Sequence, residues 1–237
     1  MSQGFIEDHN NNKNNEEEED DFLQFVEEST QHTLLNKCST FLKSLAGEQV
    51  AAAVLNVDMV GSTKMSFFLS SMELERIVKL FWHEMSLAIE SNDGLVFKYV
   101  GDAVIGIFPQ CKNVACSHAI ECALEMVKRV QDTINPGLIK DTVPAMGIKI
   151  GLDYGKSLAV YNGDSVDLIG FNISMASKIC SLAGPNTVMV GQSMFDIISQ
   201  YEKLAGGFRF SLYHNLRLAR LENNLKHTVY RIYSGIF

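Results

Sequence analysis

Residues 95–109, LVFKYVGDAVIGIFP, are two β-rich runs that meet at Gly101-Asp102 with room between them for nothing but a tight turn. A hairpin this short fixes two antiparallel neighbours in one sheet, and both of its flanks read as amphipathic helices. Upstream, residues 71–91 place Leu74, Ile77, Val78, Phe81, Trp82 and Met85 on one face and stop at Asn92-Asp93-Gly94. Downstream, residues 114–134 repeat the helical spacing. The apolar run AAAVLNVDM (51–59) precedes the first helix. AMGIKIGLDYGKSLAVY (145–161) follows the second and reads as a strand pair hinged at Tyr154-Gly155. The order β-α-β-β-α-β is the ferredoxin-like plan of an α+β fold, an antiparallel sheet with helices over one face. A helix near 170–183, a strand at TVMVG and β-rich closing strands over 207–235 extend that core.

The ends of the chain read differently. Residues 1–21 carry eight acids against Lys13, and few apolar side chains. Such a segment buries too little surface to offset its ordering entropy, so a disordered acidic tail is expected. Residues 22–47 turn amphipathic, through Phe22, Leu23, Phe25, Val26, Leu34, Leu35, Cys38, Phe41, Leu42 and Leu45, with Gly47 as the stop. This helix either links two copies of the chain or packs on its own domain, which would occupy 48–237. The tail supplies −7 of the net charge of −8, so the rest is near neutral and lacks the basic stripe of a nucleic-acid binder. No apolar run approaches the ~20 residues of a membrane helix. MSQGFIEDHN has neither the basic nor the apolar region of a secretory signal, and a cytoplasmic setting is expected. The five cysteines, Cys38, Cys111, Cys116, Cys122 and Cys180, are odd in number and without CxxC spacing, and read as reduced core thiols. His83 and His118 fall in helical patterns and read as surface or packing residues.

Two acids stand apart. Asp58 and Asp102 each end a hydrophobic run close to a glycine, Gly61 three residues after the first and Gly101 just before the second, where a backbone turns tightly or approaches something closely. Two hard oxygen ligands brought together would suit Mg²⁺ or Mn²⁺, which favour one or two carboxylates plus substrate phosphates. Taken alone, two turn-forming aspartates would look the same. The segment GSTK (61–64) is not a phosphate loop of the GxxxxGK[ST] type, because the earlier glycine is missing.

Three segments, VDMVGST (57–63), KYVGDAVIGIF (98–108) and VDLIGFNISMASKI (166–179), together resemble the catalytic domain of class III nucleotidyl cyclases, the adenylate and guanylate cyclase family. The resemblance runs over roughly residues 50–235, and Asp102 follows Asp58 by 44 positions, as in the family's metal pair. It implies two Mg²⁺ or Mn²⁺ ions per site on Asp58 and Asp102, and phosphate contacts from the backbone of Met59, Val60, Gly61 and Ser62. It also implies that Lys98 and Asp167 read the base. A lysine can donate to adenine N1 and a carboxylate can accept from the 6-amine, whereas guanine presents the opposite pattern. ATP is therefore the expected substrate and adenylate cyclase the expected activity. A basic residue of the closing strands, Lys226 or Arg220, is expected to hold terminal phosphates.

At the transition-state pair the sequence departs from the family. Where Asn and Arg are usual, seven and eleven residues after Asp167, stand Ser174 and Lys178. Serine can still hydrogen-bond the ribose region and lysine keeps the charge, but lysine lacks arginine's planar fork. Asn172 is two residues early, a rotation of about 200° on a helix, and should point away. The resemblance further implies a head-to-tail homodimer, in which the metal pair and the base-reading pair of one site come from opposite subunits.

Overall fold

A computed structural model describes residues 30–141, 143–200, 208–217 and 226–234. The expected tail (1–21) and the first part of the expected helix (22–29) lie outside the described residues. Helix α1 spans 30–43, and β1 runs Gln49–Val60. Two helices follow, α2 (Ser62–Phe68) and α3 (Ser71–Ser91). The hairpin β2 (Leu95–Val100) and β3 (Ala103–Phe108) leads into α4 (Lys112–Arg129). A π-helical turn, Val130–Ile134, joins α4 to the short α5 (Asn135–Lys140). The wider turn accommodates Pro136, which has no N–H to give an unbroken α ladder. Then come β4 (Gly147–Asn162), β5 (Ser165–Gly170), α6 (Phe171–Leu182), β6 (Thr187–Gly191), α7 (Gln192–Ser199), β7 (Phe208–Arg217) and β8 (Lys226–Ser234).

The eight strands form one sheet in the order β2-β3-β1-β4-β6-β8-β7, with β5 paired to one end of β4. Its first four strands are antiparallel neighbours and, with α3 and α4, make the expected ferredoxin-like βαββαβ core. The C-terminal addition is not uniformly antiparallel. Strand β6 joins β4 in parallel, because α6 carries the chain back before β6 begins.

Helices cover both faces of the sheet rather than one. Leu55, Val57 and Met59 of β1 meet Phe81 and Met85 of α3 and Ile120 and Met126 of α4 on one face. Ala52 and Val54 meet Cys38 and Leu42 of α1 and Ala176 of α6 on the other. The described part of the amphipathic N-terminal segment thus packs on its own sheet. An unbroken buried stretch from Ala52 to Val57 is what a strand covered on both sides requires, and AAAVLNV already had that character.

The hinge expected at Tyr154-Gly155 is absent, and β4 is a single strand of 16 residues. Its glycines serve close approach instead. A Cβ on Gly151 would run into the Cys180 N and Ala176 O atoms of α6, and one on Gly155 would come within 3.1 Å of Asn172 Cβ. Gly151→Ala is therefore expected to lift α6 from the sheet and destabilise the protein by about 3 kcal/mol, read as a lower midpoint in urea.

Four of the five cysteines are buried as free thiols, whereas Cys111, just before α4, is exposed and not part of the core. Asp153, on β4, is fully buried, with Oδ2 3.6 Å from Nε2 of His227 on β8, in space left by Gly191. Burial pushes its carboxyl above the ordinary value, and His227 offsets this in part. With the folded value above the unfolded one, the stability tied to the protonated form is complete below the unfolded value and lost as pH rises through the folded one. Asp153→Asn is neutral throughout. Its thermal stability relative to the natural chain is expected to improve as pH rises above the ordinary carboxyl value of 3.8.

Candidate active site

Asp58 lies two residues from the end of β1, half-buried, on the face that α1 and α6 cover. Directly across the ladder are Ala103 of β3 on one side and Lys149 of β4 on the other. Asp102 occupies the turn of the β2–β3 hairpin, next to Gly101, whose φ of 59° is left-handed. Two clips hold that turn. The Met59 N–H donates to the Asp102 carbonyl at 3.3 Å, and the Trp82 Nε1–H of α3 donates to the Gly101 carbonyl at 3.2 Å. Trp82 also leans on Tyr99 (ring centroids 5.1 Å apart), and the Tyr99 hydroxyl meets Ser86 Oγ at 2.8 Å. The hairpin is thereby pinned to the helix beneath it.

These contacts bring the two carboxylates into electrostatic reach. Burial raises the Asp58 carboxyl above its ordinary range, the Asp102 charge raises it further, and Lys149 opposes both. The same charges act on Cys180 of α6, whose thiol donates to the Lys149 carbonyl at 3.3 Å and is pushed up to about 12, mainly by burial. Cys180 is thus an inert thiol lining the acidic site. No group of three or more His, Cys, Asp or Glu side chains able to hold a metal occurs among the described residues. A pair of carboxylates whose repulsion Lys149 only partly offsets fits a divalent cation whose remaining ligands come from a substrate's phosphates.

The turn after β1 differs from expectation. Met59 and Val60 still belong to the strand, paired with Ile148 and Gly147, and the Met59 amide is already used by Asp102. The chain turns at Gly61, φ 86°, and α2 begins at Ser62, so the open helix start belongs to Gly61 and Ser62 rather than to all four residues.

Lys98 of β2 and Asp167 of β5, 69 residues apart, meet at 2.8 Å between Nζ and Oδ2. The other oxygen, Oδ1, accepts the Leu168 N–H at 2.9 Å, which fixes the carboxylate's orientation. Ser174 and Lys178 lie one helical turn apart on the exposed side of α6. Asn172 points into the sheet. It accepts from Ser157 Oγ at 2.6 Å and donates to the carbonyls of Ala52 and Gly155. Lys226 opens β8 opposite Arg217, while Arg220 lies outside the described residues. His118 sits 3.5 Å from Asp93, in the turn between α3 and β2.

Sequence reading missed Lys149. Nothing in KIGL marks it; only the β1–β4 register sets it opposite Asp58.

The profile of the adenylate and guanylate cyclase catalytic domain matches residues 46–226. A cytidylate cyclase of Escherichia coli is 28% identical over 154 residues, covering 60% of this chain and 34% of that protein. The chain thus spans about a third of the length of that relative. Among solved structures, the adenylyl cyclase CyaB of P. aeruginosa superposes with a TM-score of 0.71 at 16% identity, over 79% of this chain and 95% of that one. The guanylate cyclase domain of RhGC from Catenaria anguillulae, in complex with GTP, gives 0.65 at 18% identity, over 79% and 98%. With that match over most of its length and an acidic pair set at the end of β1 and the tip of the β2–β3 hairpin, the chain belongs to the adenylate and guanylate cyclase catalytic domain family.

Proposed function

We propose that the protein is an adenylate cyclase, which converts ATP to 3′,5′-cyclic AMP and pyrophosphate at sites shared by two copies in a head-to-tail homodimer. The observation that carries this reading is the approach of Asp58 to Asp102 beside Lys149. That arrangement offers oxygens for two Mg²⁺ or Mn²⁺ ions and a positive charge for a triphosphate. Bound there, the ions would lower the pKa of the ribose 3′-hydroxyl and neutralise charge on the leaving pyrophosphate.

The remaining work falls to this chain's own groups. The Gly61 and Ser62 amides face the outer phosphates, and Lys149 adds positive charge there. Lys98 donates to adenine N1, and Asp167 accepts from the 6-amine. Ser174 hydrogen-bonds the ribose, and Lys178 meets charge developing at the α-phosphate.

The test is to incubate the full chain with Mn²⁺ and ATP. Cyclic AMP and pyrophosphate are expected in equal amounts, identified by mass. ATP that binds with metal but yields no product would instead support a second reading, a nucleotide-binding module of weak activity. Ser174 and Lys178, standing where the family has Asn and Arg, favour that alternative.

A further inference from the structure

Resting on the cyclase reading above, we propose that Asn56 of β1 is a third side-chain ligand, with Asp58 and Asp102, to one of the divalent cations. One ion is then held by the protein before any nucleotide arrives.

Side chains of β1 alternate between the two faces of the sheet. Leu55, Val57 and Met59 enter the core beneath α3 and α4, whereas Ala52 and Val54 enter the one beneath α1 and α6. Asn56 continues the second set and shares a face with Asp58, whose Cα lies about 7 Å further along the strand. Two short side chains at that spacing can converge on one ion. Register places Asn56 between Ile105 of β3 and Gly151 of β4, one row in from Asp58, Ala103 and Lys149.

Those surroundings offer the amide nothing. Gly151 has no side chain, and the Cys180 N and Ala176 O atoms of α6 lie where its Cβ would be. Val54, the preceding residue on this face, is apolar and buried. Asn56 is itself only 7% exposed, and its Oδ1 atom, shut off from solvent, finds no hydrogen-bond partner among the described residues. Asn172 shows the contrast, since its buried amide accepts from Ser157 and donates to the carbonyls of Ala52 and Gly155. A buried acceptor left without a donor is destabilising, and an apolar side chain at the same place would avoid that cost. Asn56 is therefore a group held ready for something that enters the site.

Its neighbours narrow the choice. An amide oxygen takes a cation or a donor, and it repels a phosphate oxygen. Beside it stand Asp58 and Asp102, whose mutual repulsion Lys149 offsets only in part. Hard oxygens, carboxylate and amide alike, are the ligands of Mg²⁺ and Mn²⁺. A neutral amide supplies one more such oxygen without adding negative charge, so it strengthens the cation's hold without deepening the repulsion. A ribose hydroxyl would also satisfy Oδ1, but only once the nucleotide is bound.

That difference sets the experiment. The full chain without nucleotide is titrated with Mn²⁺, and free Mn²⁺ is followed by electron paramagnetic resonance. The natural chain should take up Mn²⁺, and Asn56→Leu should bind it about tenfold more weakly or worse. Without metal, the same variant should melt at a higher temperature, because the unpartnered acceptor is gone. Asn56→Asp, which puts an oxygen back, should recover the affinity. At saturating ATP, Asn56→Leu should need correspondingly more Mn²⁺ for half its maximal rate of cyclic AMP formation. No Mn²⁺ uptake by the natural chain, or equal affinity in Asn56→Leu, overturns the assignment and leaves the cyclase reading standing. So does a loss of affinity that comes with a lower melting temperature and that Asn56→Asp fails to reverse, since the amide is then structural. Mn²⁺ bound through Asn56 with no cyclic product from ATP upholds the assignment and overturns the cyclase reading.

Discussion

Asp102→Ala is expected to abolish measurable cyclase activity, a loss of about 10³-fold or more, while leaving the fold intact or slightly more stable. The activity loss is the outcome expected of removing one of the two carboxylates proposed to hold the metal ions, a role worth several kcal/mol of transition-state charge stabilisation. The stability expectation follows from the turn itself. The Asp102 carbonyl, not its carboxylate, accepts the Met59 N–H, so alanine keeps the clip between hairpin and β1. The substitution also removes the repulsion that raises Asp58. Product formation by mass and a thermal melt without metal check the two halves. A lowered melting temperature would show that lost activity reports lost structure. Mixing Asp102→Ala with Lys98→Ala should restore part of the activity if the metal pair and the base-reading pair of one site come from different subunits, and none if they come from one.

Ser174→Asn together with Lys178→Arg is expected to raise kcat by about 10²-fold, the size of one well-placed transition-state donor. Both positions are exposed on α6, whose packing against the sheet is made by Met175, Ala176, Ile179 and Cys180, so the change leaves the core alone. Asparagine would supply a fixed donor and acceptor in place of a hydroxyl rotor, and arginine two parallel N–H groups in place of a point charge. The measurement is kcat with ATP and Mn²⁺, with KM followed separately. An unchanged kcat would mean that this side of α6 does not face the reacting phosphate.

Much of the architecture was legible in residue order. The helix expected at 71–91 is α3, capped by Ser70 and Glu73 in a reciprocal box, and the turn at Gly101-Asp102 falls where the glycine put it. The helix expected near 170–183 is α6, Phe171–Leu182. Each of these is set by periodicity or turn chemistry within a few residues, which a linear reading captures. The same logic misread Gly155. A glycine within a strand can signal a bend or a close approach, and only the position of Asn172 shows that the second applies. Strand β5 and helix α7 were missed because each is short and takes its identity from its neighbour, β4 or α4.

The candidate site divides along the same line. Residue order sets which residue types stand at which spacings, so Asp58, Asp102, Lys98 and Asp167 are nameable from it, as is the departure at Ser174 and Lys178. Tertiary structure alone decided that Lys98 and Asp167 touch across 69 residues, that Lys149 faces Asp58, that Met59 spends its amide on the hairpin, and that Asn172 turns inward. Strand register makes the difference. Side chains on a sheet alternate with period two, so a shift of one residue between β1 and β4 would turn Lys149 to the opposite face, and nothing local to either strand encodes that alignment.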